Sequence, residues 1–536
     1  MASRLEEILK EREKKIETLK LMGIDLYPAR SEKEAENREV VENFGKYEGK
    51  EMTLAGRIMA WREHGKLIFG QIQDQSGRIQ LFIRADEMGS TDKEKQTIGF
   101  KDLELLDIGD FIQATGLVVK TRTGEVSLQV KEIKILTKSR LPLPDKWVGI
   151  TDPDEAFRKR YLDLLMNSDK MRRFERKAKF WEVTRKFLKD KGFIEVETPV
   201  LESVTGGADA RPFVTHMNAI DQGFFLRIST ELFQKRLIGA GFEKIYTIGP
   251  NFRNEGMDDE HLPEYYQCEW YWAYADYRDN MELVKDLFRY IAKEVYGKTK
   301  FVSRGMEYDL ADEWKEIDYV EIIKEKLGID IFKSTDKEML EVIKKNGVVL
   351  TGTINRSRLI DNCWKIIRKK IAGPAYLVNE PKFMSPLAKS KPENPELTER
   401  FHVIIAGSEL GNGYTELNDP EDQKARFEEQ QAQREAGDEE AQMLDADFVE
   451  MLEYGMPPTS GWGHSERLFW FMEDISGREG VLFPPLRVKR DPPMVVKLAD
   501  EVDEIVSDFR KTGKYNEGFL KDLEEGLEKN KVTKER

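Results

Sequence analysis

The stretch GPNFRNEGMDDEHLPEYYQCEWYWAY, from Gly249 to Tyr274, reads as a strand, a turn and a returning strand. Arg253 and Glu255 are two apart, so on an extended chain both side chains point to one face. The segment Gly256 to Glu260 forms the turn, His261 comes directly after it, and Tyr265 and Glu269 lie on the return. These residue types suit nucleotide chemistry. An arginine on a rigid strand grips a carboxylate or phosphate through its planar fork. A neighbouring carboxylate accepts a hydrogen bond from an exocyclic amine, and an aromatic ring opposite stacks on a base. Any one of these side chains alone is more often an ordinary surface or salt-bridge group. Their combination in one hairpin marks a candidate site.

Outward from that hairpin, a chain of 536 residues is too long for one ordinary domain. Between Met52 and Leu136 the pattern is short and strand-like, with runs Thr53–Ala60, Leu67–Gln73, Arg78–Ile83, Phe111–Val119 and Val126–Ile133. Turn signals at Gln75-Ser76-Gly77 and Thr121-Arg122-Thr123-Gly124 separate them, which predicts a small closed barrel of the OB type. Leu141-Pro142-Leu143-Pro144 reads as a stiff linker. Beyond it, Phe174 to Lys191 is helical with Gly192 as its stop, and a strand Phe193–Glu197 ends before Pro199. The division is a helical segment over 1–50, a barrel over 51–140 and a large α+β domain over 141–487. That domain holds an inserted helical region at about 308–371, and a helical extension covers 488–536. Arg4 to Met22 places Leu5, Ile8, Leu9, Ile16 and Leu19 at helical spacing, which suits either a docked helix or one that contacts RNA.

No stretch approaches the run of about 18 apolar residues needed to cross a bilayer. The N-terminus lacks the apolar core of a signal peptide. Cys268 and Cys363 are the only cysteines and are far apart, which suits a reducing, cytoplasmic setting. With five histidines, they cannot build a Cys/His zinc cage. The net charge of −14 is concentrated between Glu416 and Glu453, where 14 acidic residues face 3 basic ones. The rest is near neutral, so charge neither supports nor excludes an RNA partner.

Arg253-Asn254-Glu255 with His261 and Tyr265 resembles motif 2 of the class II aminoacyl-tRNA synthetases. Gly192-Phe193-Ile194-Glu195-Val196-Glu197-Thr198-Pro199 is similar to motif 1, and Glu466-Arg467-Leu468 to the end of motif 3. Thr205-Gly206-Gly207-Ala208, Arg227-Ile228-Ser229-Thr230-Glu231-Leu232 and the run Glu409 to Asp419 resemble blocks of the lysyl enzymes in particular. The resemblance spans roughly residues 1 to 487. It implies an N-terminal OB-fold barrel, then a class II catalytic domain whose antiparallel sheet of six or seven strands is flanked by helices. It also implies a homodimer through motif 1, whose proline is Pro199 here.

The activity that this resemblance implies is ATP-dependent activation of L-lysine and its transfer to the 3′ end of tRNA(Lys), with Mg²⁺ as cofactor. Site roles are implied in the same way. Glu231 and the backbone near Gly207 hold the α-ammonium, with Glu269 nearby. Arg253 and Asn412 hold the carboxylate. Tyr271 and Glu416 receive the ε-ammonium, and Tyr414 lines the same site. For ATP, Tyr265 and Arg467 sandwich the adenine, Glu255 receives its amino group and His261 approaches the terminal phosphates; Glu409 completes the site. Arg253 and Arg467 are the catalytic residues. On the barrel, Phe69 stacks an anticodon base beside Gln80, with Arg57 as a further contact and Glu125 reading an edge.

Two departures stand out. The family's metal pair is two glutamates seven residues apart; here Glu409 is the second, and His402 stands where the first belongs. Imidazole is a poor partner for Mg²⁺, so His402 contacts phosphate, or one metal is bound differently, or a metal is absent. In motif 3, Gly461-Trp462-Gly463-His464-Ser465-Glu466-Arg467 is one residue short and lacks the glycine nearest the arginine. Two alternatives remain at this point. One is an aspartyl or asparaginyl enzyme, against which Tyr271 and Glu416 argue. The other is a non-catalytic, synthetase-like RNA-binding protein.

Overall fold

The computed structural model describes residues 4–144, 150–350, 355–437 and 441–487, with isolated positions 518 and 521. The chain divides into two units, Met1–Ser168 and Asp169–Arg536. The expected helices of the 488–536 extension fall outside the described residues.

The first unit starts with helix α1 (Arg4–Leu21), which buries Ile16 and Leu19. Five strands come next: β1 (Glu51–His64), β2 (Leu67–Gln73), β3 (Arg78–Arg84), β4 (Phe111–Lys120) and β5 (Val126–Thr137). They close into a barrel in the order β1-β2-β3-β5-β4, the OB arrangement. Period-two alternation produces the closure: Ile68, Ile72, Ile79, Leu81 and Ile83 are buried inside, while Phe69, Gln71, Gln80 and Phe82 occupy the alternate, outer positions. One glycine is forced by close approach. Gly116 sits at a bulge opposite β5, and a Cβ there would lie 2.0 Å from the Gln129 carbonyl oxygen.

The second unit is entered along helix α2 (Ser168–Asp190), and its sheet is built from strands spread over the chain. In chain order these elements are β6 (Ile194–Glu195), α3 (Glu231–Gly239), β7 (Lys244–Phe252), β8 (Glu264–Ala273) and α4 (Tyr277–Ile291). Next come β9 (Lys315–Asp318), α5 (Tyr319–Leu327), α6 (Asp336–Lys345), α7 (Arg356–Arg368), β10 (Ala375–Val378), β11 (Arg400–Ile405) and β12 (Ser408–Thr415). The last are α8 (Pro420–Glu435), α9 (Ala446–Tyr454), β13 (Thr459–Ser465) and α10 (Arg467–Glu473). The sheet order is β9-β10-β11-β12-β13-β8-β7-β6.

The structure corrects three expectations. The sheet has eight strands rather than six or seven, and both edge pairs are parallel, β6 with β7 and β9 with β10. The strand expected over Phe193–Glu197 contracts to Ile194–Glu195; edge strands this short carry too little alternation to be seen in sequence. The region 308–371 is not purely helical, because it contributes β9 to the sheet beside its three helices. Those helices bury Ile323, Met339, Ile343 and Trp364 in one cluster with Leu377 and Ile404 of the sheet. On the central sheet, Trp270, Trp462 and Phe401 pack with Phe180 of α2 and Phe288 of α4. The acidic run falls on α8 and α9, where Glu421, Glu428, Glu429 and Glu435 are exposed while Phe427 and Phe448 are buried.

Candidate active site

Alternation along β8 decides which side chains reach the site. Tyr265, Gln267, Glu269 and Tyr271 take one face, and Cys268 and Trp270 take the other, in the core. The neighbouring strands continue the first face: Gly463 and Gly461 of β13 pair with Glu269 and Tyr271, Asn412 and Tyr414 of β12 pair with the same glycines, and His402 and Arg400 of β11 pair with Asn412 and Tyr414. The glycine at 461 is needed for space, since a Cβ there would lie 2.4 Å from Tyr271 and 2.5 Å from Glu416.

Two adjoining pockets open on this face and share Arg253, Gln267, Asn412 and Gly463. The hairpin geometry differs from expectation in one respect. Strand β7 ends at Phe252, so Arg253 and Glu255 lie in the turn rather than on the strand. The Arg253 amide is held by the Pro263 carbonyl at 2.8 Å, and its guanidinium lies 5.5 Å over the Tyr265 ring.

The first pocket is lined by Gly207, Glu231, Glu269, Tyr271, Tyr414 and Glu416, along with Arg253 and Asn412. Three of these are buried carboxylates. Glu269 accepts from the Tyr271 hydroxyl at 2.7 Å, Thr230 Oγ1 at 2.9 Å and Gln267 Nε2 at 3.1 Å. Burial and the nearby Glu231 charge push its pKa up. The Tyr414 hydroxyl donates to Glu231 at 2.5 Å. Gly207 has φ +82°, and a Cβ there would meet Glu231 at 2.7 Å.

Two charged residues here were not anticipated from sequence. Lys235 is fully buried, its Nζ 2.5 Å from Glu231 and also paired with Glu416. Burial pulls its pKa down, but the two carboxylates outweigh that and hold it above its ordinary value. The signal was present: Glu231 and Lys235 are four apart, hence on one helix face. Arg400 donates to Asn412 Oδ1 and Glu380 Oε1, each at 3.2 Å. Its sequence neighbourhood carries no comparable cue.

The second pocket is lined by Glu255, Glu260, His261, Tyr265 and Arg467, with the shared Arg253. Asp258 orients His261 by accepting at 2.9 Å from Nδ1, and His261 Nε2 lies 3.3 Å from Arg467 Nη1. Arg467 also donates to the Glu409 carbonyl. The shortened motif 3 keeps regular pairing, with Gln267 opposite Ser465. His464 consequently turns into the core, between Trp270 and Phe288, and accepts from Trp462 Nε1 at 3.0 Å. Burial drives its pKa down to about 3.

His402 is buried and flanked by carboxylates: Nε2 is 2.6 Å from Glu380, and Nδ1 is 3.4 Å from Glu409. Its pKa is raised, because these charges outweigh the effect of burial. Glu409 also accepts from Trp364 Nε1 at 2.6 Å and from Arg368 at 2.9 Å. Both His402 ring nitrogens thus meet carboxylates within the protein. Among the described residues no group of three or more His, Cys, Asp or Glu side chains is arranged to hold a metal ion.

On the barrel, Phe69 stacks against Phe82 with ring centres 5.4 Å apart, a partner that the sequence pattern did not single out. Gln80 donates to Ser127 Oγ at 2.9 Å. Register puts Phe69 and Phe82 in one cross-strand row, Gln71 and Gln80 in the next, and Arg57 in a third with Gln73 and Arg78. Arg57 donates to the Gly109 carbonyl at 3.0 Å and lies 4.1 Å over Phe111, so part of its binding capacity is already engaged by the barrel's own residues. Glu125 sits in the β4–β5 turn, where Thr121 Oγ1 caps its amide.

Residues 152–487 match the family model for class II tRNA synthetases (D, K and N), and residues 52–136 match that for the OB-fold nucleic acid binding domain. Fold and site therefore define a class II tRNA synthetase carrying an OB-fold domain. The lysine–tRNA ligase of Thermotoga maritima is 44% identical over 494 residues, covering 91% of this chain and 97% of its own. That of Thermoanaerobacter pseudethanolicus is 45% identical over 492 residues, with the same coverage, and that of Clostridium novyi is 43% identical over 488 residues. The chain belongs to the lysine–tRNA ligase family, and the aspartyl and asparaginyl alternatives fall away. No helix among the described residues is long and apolar enough to cross a membrane.

Proposed function

We propose that the two pockets are the lysine and ATP sites of one reaction, in which ATP activates L-lysine and the lysyl group passes to the 3′ end of tRNA(Lys). The observation that carries this is their shared wall. Arg253 borders both cavities, so a carboxylate in one and an α-phosphate in the other meet at one guanidinium. Lysine brings two ammonium groups to a pocket with three buried carboxylates. Glu231, Glu269 and the backbone at Gly207 take the α-ammonium, Tyr271 and Glu416 the ε-ammonium, and Asn412 with Arg253 the carboxylate; Tyr414 steadies Glu231. A site whose buried charges are left unpaired by a neutral isostere rejects it by several powers of ten.

In the second pocket Tyr265 and Arg467 enclose the adenine, Glu255 accepts from its amino group, and His261 faces the phosphates. The lysine carboxylate, already ionised, attacks the α-phosphorus; the bond to pyrophosphate breaks and lysyl-adenylate forms. Arg253 stabilises the charge that develops there, so no protein nucleophile is required. The tRNA hydroxyl then attacks the lysyl carbonyl and AMP leaves. Magnesium is the expected companion of ATP. The Glu409–His402 pair does not suit it, because the donor oxygens of Glu409 already serve Trp364, Arg368 and His402.

We assign the outer β1-β2-β3 face, with Phe69, Gln80 and Arg57, together with Glu125 in the β4–β5 turn, to the anticodon. The barrel over 51–140 is then the tRNA-reading domain, and 141–487 the catalytic one. A homodimer through motif 1 is supported by the exposed apolar residues Ile194, Val200 and Leu201 around Pro199. The two buried, unbridged cysteines suit the cytoplasm. The test is amino-acid-dependent ATP–pyrophosphate exchange: activity with lysine and none with aspartate or asparagine is expected. Absence of exchange with lysine, while tRNA still binds, would favour the regulatory alternative.

A further inference from the structure

The corner where β11, β12 and α7 meet carries an unusual balance of charge. Three carboxylates, Glu260, Glu380 and Glu409, are each matched by an arginine. Arg368 lies 2.9 Å from Glu409, Arg400 lies 3.2 Å from Glu380 and Arg467 lies 3.8 Å from Glu260. His402 stands between Glu380 and Glu409. Even with a neutral imidazole, the corner has no negative charge left uncompensated; with an imidazolium it is net positive. A hard divalent cation binds where several carboxylate oxygens are free to turn toward it. Here the Glu409 oxygens are taken up by Trp364 Nε1, Arg368 and His402, and Glu380 is held by Arg400 and His402.

We propose that His402 closes this corner to divalent metal, so that protein cations take over the charge a metal would supply beside the ATP phosphates. The inference rests on the reading of the second pocket as the ATP site. In that arrangement His402 is a positioning residue. It ties Glu380 to Glu409, so the cations of this corner are protein groups, Arg368 beside Glu409 and Arg467 in the wall of the second pocket. Fixed cations need no dehydration when ATP arrives, unlike a strongly hydrated magnesium ion.

Replacing the imidazole by a carboxylate should reopen the site. Mn²⁺ titration followed by EPR, with lysine and a non-hydrolysable ATP analogue present, is expected to find one more Mn²⁺ per chain in His402→Glu than in the unaltered protein. His402→Gln, which removes the imidazole without adding charge, is expected to bind the unaltered number. Equal stoichiometry in the unaltered protein and His402→Glu overturns the proposal. Should His402→Glu fail to fold, the unaltered protein answers directly through anomalous scattering from crystals holding Mn²⁺, lysine and the analogue. Metal density on the analogue but not on Glu409 or His402 supports the proposal. Metal ligated by either residue, with the analogue seated, overturns it alone, whereas an analogue bound away from the second pocket overturns the ATP reading and this inference together.

Discussion

The two pockets share a wall and a sheet face, yet they do not pair their carboxylates alike. In the amino-acid pocket Glu269 accepts from neutral donors, Ser229, Thr230, Tyr271 and Gln267, so its charge is left for an incoming ammonium. At the phosphate corner every carboxylate already faces an arginine. One end therefore keeps negative charge for a cation, whereas the corner keeps none, although both are lined with glutamate. Counting acidic residues would not have distinguished them; what each carboxylate is paired with does. Arg253 stands at the boundary, and removing it should have the largest effect. Arg253→Gln is expected to lower kcat/KM for lysine-dependent pyrophosphate exchange by about 10³-fold, the usual scale for losing a preorganised charge at a reacting centre. A loss under tenfold would break the picture of a shared wall.

The deep end of the amino-acid pocket gives the next effect. Lys235 offsets one of the two charges of Glu231 and Glu416 from inside the protein, so the cavity floor keeps negative charge for the substrate. Lys235→Met leaves two buried carboxylates without their cation and should cost about 3 kcal/mol of stability. Chemical denaturation measures this. The double variant Lys235→Met with Glu416→Gln should recover part of the loss, because removing both members of a buried pair is milder than removing one. No recovery would mean that Lys235 acts through packing rather than charge.

How far the sequence anticipated this contrast depends on the kind of signal. The barrel was legible because alternation and turn residues repeat over five strands, and the hairpin from Gly249 to Tyr274 was legible because it gathers unusual residue types in a short span. The two-residue β6 and the four-residue β9 carry too little pattern to register. The phosphate corner was harder still. Trp364, Arg368, Glu380 and Arg400 come from separate segments and meet Glu409 and His402 only through sheet pairing and helix packing. His402 was visible as a departure, but its two carboxylate partners were not.

A smaller effect tests the amino-acid pocket by protonation. Burial and Glu231 raise the Glu269 pKa, and only its ionised form attracts an ammonium. The kcat/KM for lysine should therefore fall as pH drops through that raised pKa, and Glu269→Gln should flatten this acid limb. At neutral pH the same variant is expected to lose about 30-fold in kcat/KM, from a charge-assisted hydrogen bond worth roughly 2 kcal/mol. The KM for ATP should stay within about twofold of the unaltered value, given that one pocket alone is altered. An equal rise in both KM values would erase the distinction between the pockets.

The smallest effect lies outside both pockets and shows whether they work independently of the barrel. Phe69 faces outward, stacked on Phe82 beside the row holding Gln80. An aromatic platform is worth roughly 1–3 kcal/mol per stacked base, so Phe69→Ala should lower kcat/KM for tRNA charging by about tenfold. Pyrophosphate exchange needs only lysine and ATP and should remain unchanged. Phe82 supports the same platform from behind, so Phe82→Ala should move charging in the same direction by a smaller factor. Loss of exchange in proportion to charging would mean that the substitution disturbs the fold. Loss of charging alone assigns the outer face of β2 and β3 to the tRNA and leaves the contrast between the two pockets to the sheet that carries them.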